Sequence, residues 1–461
     1  MKVAICGGTL VTEYGVFKGN LAVDDQGRIA SITSEAAVPK ADQTIDATGL
    51  LVLPGAVDGH SHLNDPGYTD SEDFYTGTCS AAAGGVTTVL EHPLTVPLPD
   101  DLEKWQAKRE IVRAKAVVDY GLWGALTPEN TADFGKKAGE LAKMADAGAL
   151  AFKGFMTFTW EIPRLDDGLL LAAFRRLAAL GVPMGVHAEN AEVVRYLEEY
   201  LKAGGRNDPL AHGEARPEIA EVEAVARVLR LSRGSGTQVH LCHLSVPEAV
   251  DLVAEARNQG QPVTAETCPH YLTLTQDALT RFGPYAKCNP PLRPVRCVEG
   301  MWERLRLGRI DSIGSDHGPY TRQEKEKVSF WDVPAGLTGI QLMVPLLVSE
   351  AERRGVPLPS VVRLLASNPA RIFHLYPRKG SIAPGSDADL VLVDTRGEWK
   401  VDSRELFSKE KWTPHEGFTL KARVKRTLVR GETVYEDAAD GGRITVKAGF
   451  GRFIAPSRRP A

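Results

Sequence analysis

The chain has 461 residues, enough for one large catalytic unit and a smaller companion around a sizeable core. Hydrophobic residues make up 43% and charged residues 25%, ordinary proportions that exclude a chain dominated by disorder. With 55 basic and 59 acidic residues the net charge is -4, which gives no electrostatic case for nucleic acid or an anionic membrane and points to a small-molecule partner. The opening "MKVAICGGTLVTEYG" is apolar only briefly, cut by glycines and Glu13, so no signal peptide is expected. No uninterrupted run of about 18 apolar residues predicts a spanning helix, and the expectation is a cytoplasmic protein without membrane contact. The six cysteines (Cys6, Cys79, Cys242, Cys268, Cys288, Cys297) lack C-x-x-C spacing and read as reduced thiols, packed as small apolar residues.

Residues 1–54 alternate apolar and polar positions between turn pairs. Asp25-Gln26-Gly27 in "AVDDQGRIASI" is a hairpin signal. Near the other end, "KGSIAPGSDADLVLVD", "ARVKRTLVRGETVYE" and "RITVKAGFGRFI" also read as short strands. Residues 1–54 and 372–461 are therefore expected to build one small β-sandwich domain, with residues 55–371 inserted as a second domain. That insert carries eight β-type runs, each followed by helix-like sequence: "AVDGHSH", "VTTVLEHP", "VDYGLWGAL", "GALAFKGFM", "VPMGVHAEN", "TQVHLCHLS", "QPVTAETCPHY" and "RIDSIGSDHG". Helices are predicted within "DDLEKWQAKREIVRAKA", "DDGLLLAAFRRLAALG" and "VEAVARVLRLSR", and Ser245 to Glu248 fits a capping box after the sixth run. Eight strand–helix alternations predict an α/β fold closed as a (β/α)8 TIM barrel.

In such a barrel the C-terminal strand ends share one mouth, where active sites sit. His60 and His62 end the first run, Lys153 lies late in the fourth, His187 in the fifth, His243 in the sixth and Asp316 in the eighth. His60 and His62 share a face by the period-two rule. Lys153 stands out, because an unpaired ammonium inside an apolar strand is costly to bury, so a paired or chemically modified lysine is the better reading. Each residue also has a plain structural reading: a hydrogen-bonded histidine, a helix-capping aspartate, a lysine snorkelling from a strand end. Five strands offering ligands at one level argue against coincidence. His92, His270 and His317 also fall near the mouth. His212, His374 and His415 fall outside the strand ends and read as surface or packing residues. His240, three residues before His243, is expected to face the surrounding helices.

The motifs "LVLPGAVDGHSHLNDPG", "FYTGTCSAAAGGVTTVLEHPLT", "AFKGF", "VHAEN", "CHLS", "CNPPLR", "GSDHGP", "SNPARIF" and "KGSIAPGSDADLVLVD" together resemble the cyclic amidohydrolases, the hydantoinase/dihydropyrimidinase, allantoinase and dihydroorotase group. The resemblance covers nearly the whole chain. It implies two divalent metal ions, zinc with manganese or cobalt as alternatives. His60 and His62 would bind one together with Asp316, His187 and His243 the other, and a carbamylated Lys153 would bridge them. It further implies hydrolytic opening of a small cyclic amide or ureide, with Asp316 carrying the proton from water to the leaving nitrogen, and a homo-oligomer, dimer or tetramer.

Within the group, dihydroorotases typically carry an arginine shortly after the H-x-H pair. Here Asn64 stands at that position, which argues against that activity, and "HLNDPG" and "LEHPLT" are similar to allantoinase patterns. D-type hydantoinases and dihydropyrimidinases place a tyrosine five residues after the bridging lysine, where this chain has Phe158. Asn289 of "CNPPLR" matches a substrate-contacting position of the group. Phe155, Phe158 and Trp160 suggest apolar walls, which suit a hydrophobic hydantoin substituent. Conversion of allantoin to allantoate is therefore the first expectation, and hydantoinase or dihydropyrimidinase activity the alternative. A non-catalytic relative is disfavoured because all six candidate ligands are present, and a one-metal deaminase is disfavoured by Lys153.

Overall fold

The computed structural model describes residues 1–159, 162–438 and 441–457. Eight parallel strand positions form a barrel. In chain order they are Ala56–Ser61, Val86–Glu91, the interrupted third strand Asp119–Leu122 and Gly124–Ala125, Phe152–Phe155, Met184–His187, Val239–Leu241, Val263–Thr267 and Ser312–Ile313. The first three pair in one arc and the piece Gly124–Ala125 continues the pairing through the remaining five. The ring closes between eighth and first strands, where Asp316 N–H donates to the His60 carbonyl (2.9 Å) and His62 N–H to the His317 carbonyl (2.6 Å). Asp58 reinforces this seam: its Oδ1 accepts from the backbone N–H of His60 (3.1 Å) and Ser315 (2.9 Å), and its Oδ2 from the Ser315 hydroxyl (2.6 Å). The eight predicted runs each hold one of these strands.

Helices surround the barrel, among them Phe74–Ala83, Leu102–Arg113, Asp167–Leu180, Glu218–Ser232, Pro247–Asn258, Val295–Arg306 and Met343–Arg354. Asp73, Asp101 and Asp166 cap the first three, each carboxylate accepting backbone N–H bonds of the first turn. The capping box expected from Ser245 to Glu248 does not form. Pro247 opens that helix behind Val246, and the Ser245 hydroxyl goes instead to the buried carboxylate of Glu221. A tertiary acceptor has outcompeted the local one. Apolar side chains of strands and helices merge in one core that includes Val89, Leu122, Phe152, Val186, Leu241 and Ile313.

Both chain ends contribute to a nine-stranded mixed sheet. Its order runs Gly441–Ile444, Glu432–Ala438, Arg423–Val429, Leu390–Asp394, Leu51–Pro54, Val3–Val11, Val16–Val23, Ile29–Thr33, with Gln43–Asp46 beside Val3–Val11. The hairpin expected around Asp25-Gln26-Gly27 joins Val16–Val23 to Ile29–Thr33, and Gly27 takes a left-handed φ of 78° at its turn. Of the predicted final strand, only the beginning is extended sheet. The chain beyond Ile444 leaves it and lies against the barrel, where Tyr120 and Phe453 form a bridge and Ile454 N–H donates to the Tyr120 carbonyl (2.8 Å). Among the described residues no helix is long and apolar enough to cross a membrane, and the six cysteines form no disulfide.

Candidate metal centre

One cavity of about 720 Å³ opens at the C-terminal ends of the barrel strands. His60, His62, Lys153, His187, His243 and Asp316 all line it, as do Asn64, Phe158 and Asn289. His60, Lys153 and His187 stand on strands, whereas His62, His243 and Asp316 lie just past strand ends. Asn64, His243 and Asp316 adopt left-handed φ angles of 60°, 41° and 47°. Such angles are uncommon outside glycine, and here they turn three cavity-lining residues at the strand ends.

Five of the six side chains come close in two sets. Asp316 Oδ1 is 3.3 Å from His60 Nε2 and 3.2 Å from His62 Nε2. His187 Nδ1 is 3.0 Å from His243 Nε2. Two ligand atoms on one tetrahedral zinc, each about 2.0–2.1 Å away, stand roughly 3.3 Å apart, so both sets have the spacing of donors sharing a cation. Lys153 is 1% exposed, and its Nζ has no oxygen or nitrogen acceptor among the described residues; the Phe155 ring lies 5.2 Å away. A bare ammonium at that depth is unfavourable, and conversion to an anion facing cations would remove the penalty. Burial pushes His60 down to about 4 and His243 well below the usual histidine range, leaving neutral rings with lone pairs available to a metal. Burial alone would raise the Asp316 carboxyl, but His60 and His62 outweigh it and hold it at about 2, ionised. The donor set therefore fits divalent cations in chemistry and spacing.

Residues not singled out from sequence surround these groups. Glu266 Oε1 meets His60 Nδ1 at 2.6 Å, and Glu189 Oε2 meets His187 Nε2 at 2.7 Å. Arg216 donates to Glu189, and its own side chain lines the cavity. Gly314 passes so close to His60 and Glu266 that an added Cβ would lie 2.6 Å and 2.8 Å from them. His240 departs from expectation: its Nε2 meets Glu266 Oε2 at 3.1 Å, so it points to the carboxylate that holds His60. The strand ends at Leu241 and the left-handed turn at His243 breaks the two-residue alternation on which the reading rested. His212 lies on a helix outside the strand ends and packs in the cavity wall with Nε2 3.0 Å from the Cys288 carbonyl. His92 stacks on His60 with ring centroids 3.7 Å apart, and neither of its nitrogens finds a partner among the described residues. His317 turns to Glu72 (3.3 Å), and His415 packs inside with Nε2 2.9 Å from the Thr273 hydroxyl. Asn64 donates to the Pro319 carbonyl (3.0 Å), the buried Asn289 Oδ1 has no donor among the described residues, and Phe158 stays 57% exposed at the rim with Arg164 stacked 5.1 Å from its ring. Trp160 lies outside the described residues.

Known proteins resemble this chain over nearly its whole length. Residues 51–434 match the amidohydrolase family. An allantoinase of Solibacter usitatus is 37% identical over 459 residues, covering 99% of this chain and 97% of its own. An allantoinase of Deinococcus radiodurans is 38% identical over 95% of this chain and 96% of its own, and an L-hydantoinase of Paenarthrobacter aurescens 34% over 96% of each. Among solved structures, an L-hydantoinase from Arthrobacter aurescens superposes with a TM-score of 0.93 at 33% identity, covering 98% of this chain and 99% of that one. A dihydropyrimidinase from Brevibacillus agri gives 0.92 at 33% identity over the whole of both chains.

Proposed function

The chain belongs to the amidohydrolase family, and from that premise we propose that it hydrolyses a cyclic amide with metal assistance, opening allantoin to allantoate. The observation that carries the reading is the meeting of His60, His62, Lys153, His187, His243 and Asp316 in one cavity. In this reading His60, His62 and Asp316 would hold one divalent ion, His187 and His243 would hold a second, and a carbamylated Lys153 would serve as a ligand to both. When bound there, such ions, zinc first and manganese or cobalt as alternatives, lower the pKa of water toward neutrality and polarise a carbonyl.

The chain's own residues then carry the proton and the substrate. Asp316, ionised, accepts the proton of the attacking water and returns it to the ring nitrogen as the C–N bond breaks; without that proton the departing amide anion is a poor leaving group. Asn64 and Asn289 supply polar contacts to the ring, and Phe158 with Phe155 flanks its substituent. Residues 55–371 form the catalytic unit in this proposal, with 1–54 and 372–461 as its β companion. Six unpaired thiols suit the reducing cytoplasm. A dimer or tetramer remains the expected assembly.

A second reading is supported by the apolar part of the cavity wall, which includes Leu94 packed with Phe155, as well as Phe158 and Val194. That wall suits the substituent of a 5-substituted hydantoin or a dihydropyrimidine better than a ureido tail. The test is a panel of allantoin, 5-substituted hydantoins of both hands, dihydrouracil and dihydroorotate, assayed with zinc, manganese or cobalt. Allantoin giving the highest kcat/KM supports the first reading and a hydantoin the second. Absence of ring opening on every substrate with every metal would sink both.

A further inference from the structure

We propose that Glu189 and Glu266 are positioning residues, each fixing the tautomer of one histidine and so giving each half of the centre its metal affinity. The inference rests on the reading that these histidines hold divalent ions. A carboxylate only accepts hydrogen bonds, so the proton of His187 sits on Nε2, 2.7 Å from Glu189, and that of His60 on Nδ1, 2.6 Å from Glu266. The nitrogens left with lone pairs are His187 Nδ1, which faces His243 Nε2 at 3.0 Å, and His60 Nε2, which faces Asp316 Oδ1 at 3.3 Å. The two rings thus meet the centre through opposite nitrogens, and each choice is dictated by the carboxylate behind it.

Both carboxylates are buried, at 0% and 1% exposure, where a lone anion is costly. Each is held there by groups beyond the histidine. Arg216 donates to Glu189. Glu266 has His240 Nε2 at 3.1 Å and accepts the backbone N–H of His243 at 3.2 Å. A carboxylate behind an imidazole fixes the ring and raises its basicity as a ligand, an effect worth about 10–100-fold in metal affinity.

The test measures zinc binding on the full chain, independently of turnover. Wild type and the Glu189→Gln and Glu266→Gln variants are titrated against a chelator and their metal content determined after dialysis; cobalt-loaded samples report ligand geometry by visible absorption. Each variant is expected to weaken one of two equivalents by about 10–100-fold while the other equivalent stays at the wild-type value. Glu189→Gln leaves Arg216 buried without its anion, so Glu189→Gln/Arg216→Met supplies a second variant. If the pair serves folding alone, this double change restores both equivalents and the inference falls; if Glu189 positions His187, one equivalent stays weak. Nitrogen-15 NMR of the metal-free wild type should find His187 protonated at Nε2 and His60 at Nδ1, and the opposite tautomers would overturn the proposal. Folded single variants with two tight equivalents overturn it alone, whereas a wild type that takes up no divalent ion overturns the reading beneath it.

Discussion

At the scale of single residues, the cavity sets two kinds of buried polar group side by side. Lys153 is buried with no oxygen or nitrogen acceptor for its Nζ among the described residues, which is the ground for the carbamylation proposed for it. Lys153→Ala is expected to lose most bound metal and nearly all ring-opening activity, with partial recovery on adding short carboxylic acids that fit the vacated space. A fully metallated, active Lys153→Ala protein would remove the bridge from the account. His92 is the contrasting case. A neutral imidazole always carries one N–H, and that of His92 is buried against His60 and Trp123 with no acceptor among the described residues. Methionine has nearly the same bulk and no donor, so His92→Met should raise stability by about 1–2 kcal/mol, read as an increase in the denaturant midpoint of the metal-free protein. An unchanged or lower midpoint would show that His92 has a polar partner in solution. The six proposed ligands were legible because histidines, a lysine and an aspartate at the ends of apolar runs are conspicuous. Glu189 and Glu266 were not, because nothing local distinguishes a carboxylate that braces a ring from one that faces water.

At the scale of elements, the barrel could be read strand by strand because each strand is an apolar run closed by turn chemistry. What escaped were features decided by contacts between elements. Ser245 follows a capping pattern, yet Glu221 from the preceding helix takes its hydroxyl. His240 obeys strand alternation only until the left-handed turn at His243. Glu13 is a further example, read at first only as an interruption of the N-terminal apolar run. It sits in the loop between Val3–Val11 and Val16–Val23, where its carboxylate accepts two bonds from Arg371 (2.7 Å each) and one from the Tyr376 hydroxyl (2.9 Å). The N-terminal hairpin is thereby clamped to the helix Asn368–Ile372 that follows the barrel. Burial would raise the Glu13 carboxyl, but Arg371 and Tyr376 outweigh it and hold it below its ordinary 4.5. Because the folded value is the lower one, the clamp stabilises fully above pH 4.5 and is lost as pH falls through the depressed folded value. Glu13→Gln should cost about 2 kcal/mol at neutral pH and show a shallower loss of stability below pH 4.5 than the parent. Parallel stability–pH curves for the two proteins would assign the acid sensitivity elsewhere.

At the scale of the whole molecule, the question is what keeps a sheet built from both chain ends fixed to the barrel it encloses in sequence. Apolar packing contributes, since Val391, Val424 and Val434 belong to the same core as the barrel strands. The junction also holds a buried charge cluster. Lys379 Nζ contacts Asp119 at the start of the third barrel strand, Asp389 at 2.7 Å and Asp387 at 3.0 Å, and Arg430, left-handed in the turn between two sheet strands, donates to Asp119 as well. The three carboxylates lie close enough to suggest a metal site, but an ammonium already stands among them. Sequence could place Lys379 and Asp389 in one motif; it could not foresee that Asp119, 260 residues before Lys379, completes the set. Replacing a buried ion network by apolar groups of matching shape is often harmless, whereas removing one partner strands the others. Lys379→Met leaves Asp119 with Arg430 and Asp387 with Arg378, but takes from Asp389 its side-chain cation, so it should cost about 3–5 kcal/mol. Adding Asp389→Asn to Lys379→Met should recover part of that loss, because the anion left without a cation is then removed. Denaturant unfolding followed by far-ultraviolet circular dichroism and by tryptophan fluorescence distinguishes the outcomes. Coincident transitions shifted together mean that the cluster joins sheet and barrel into one cooperative unit, and a shift confined to one probe would mean that it stabilises only one of them.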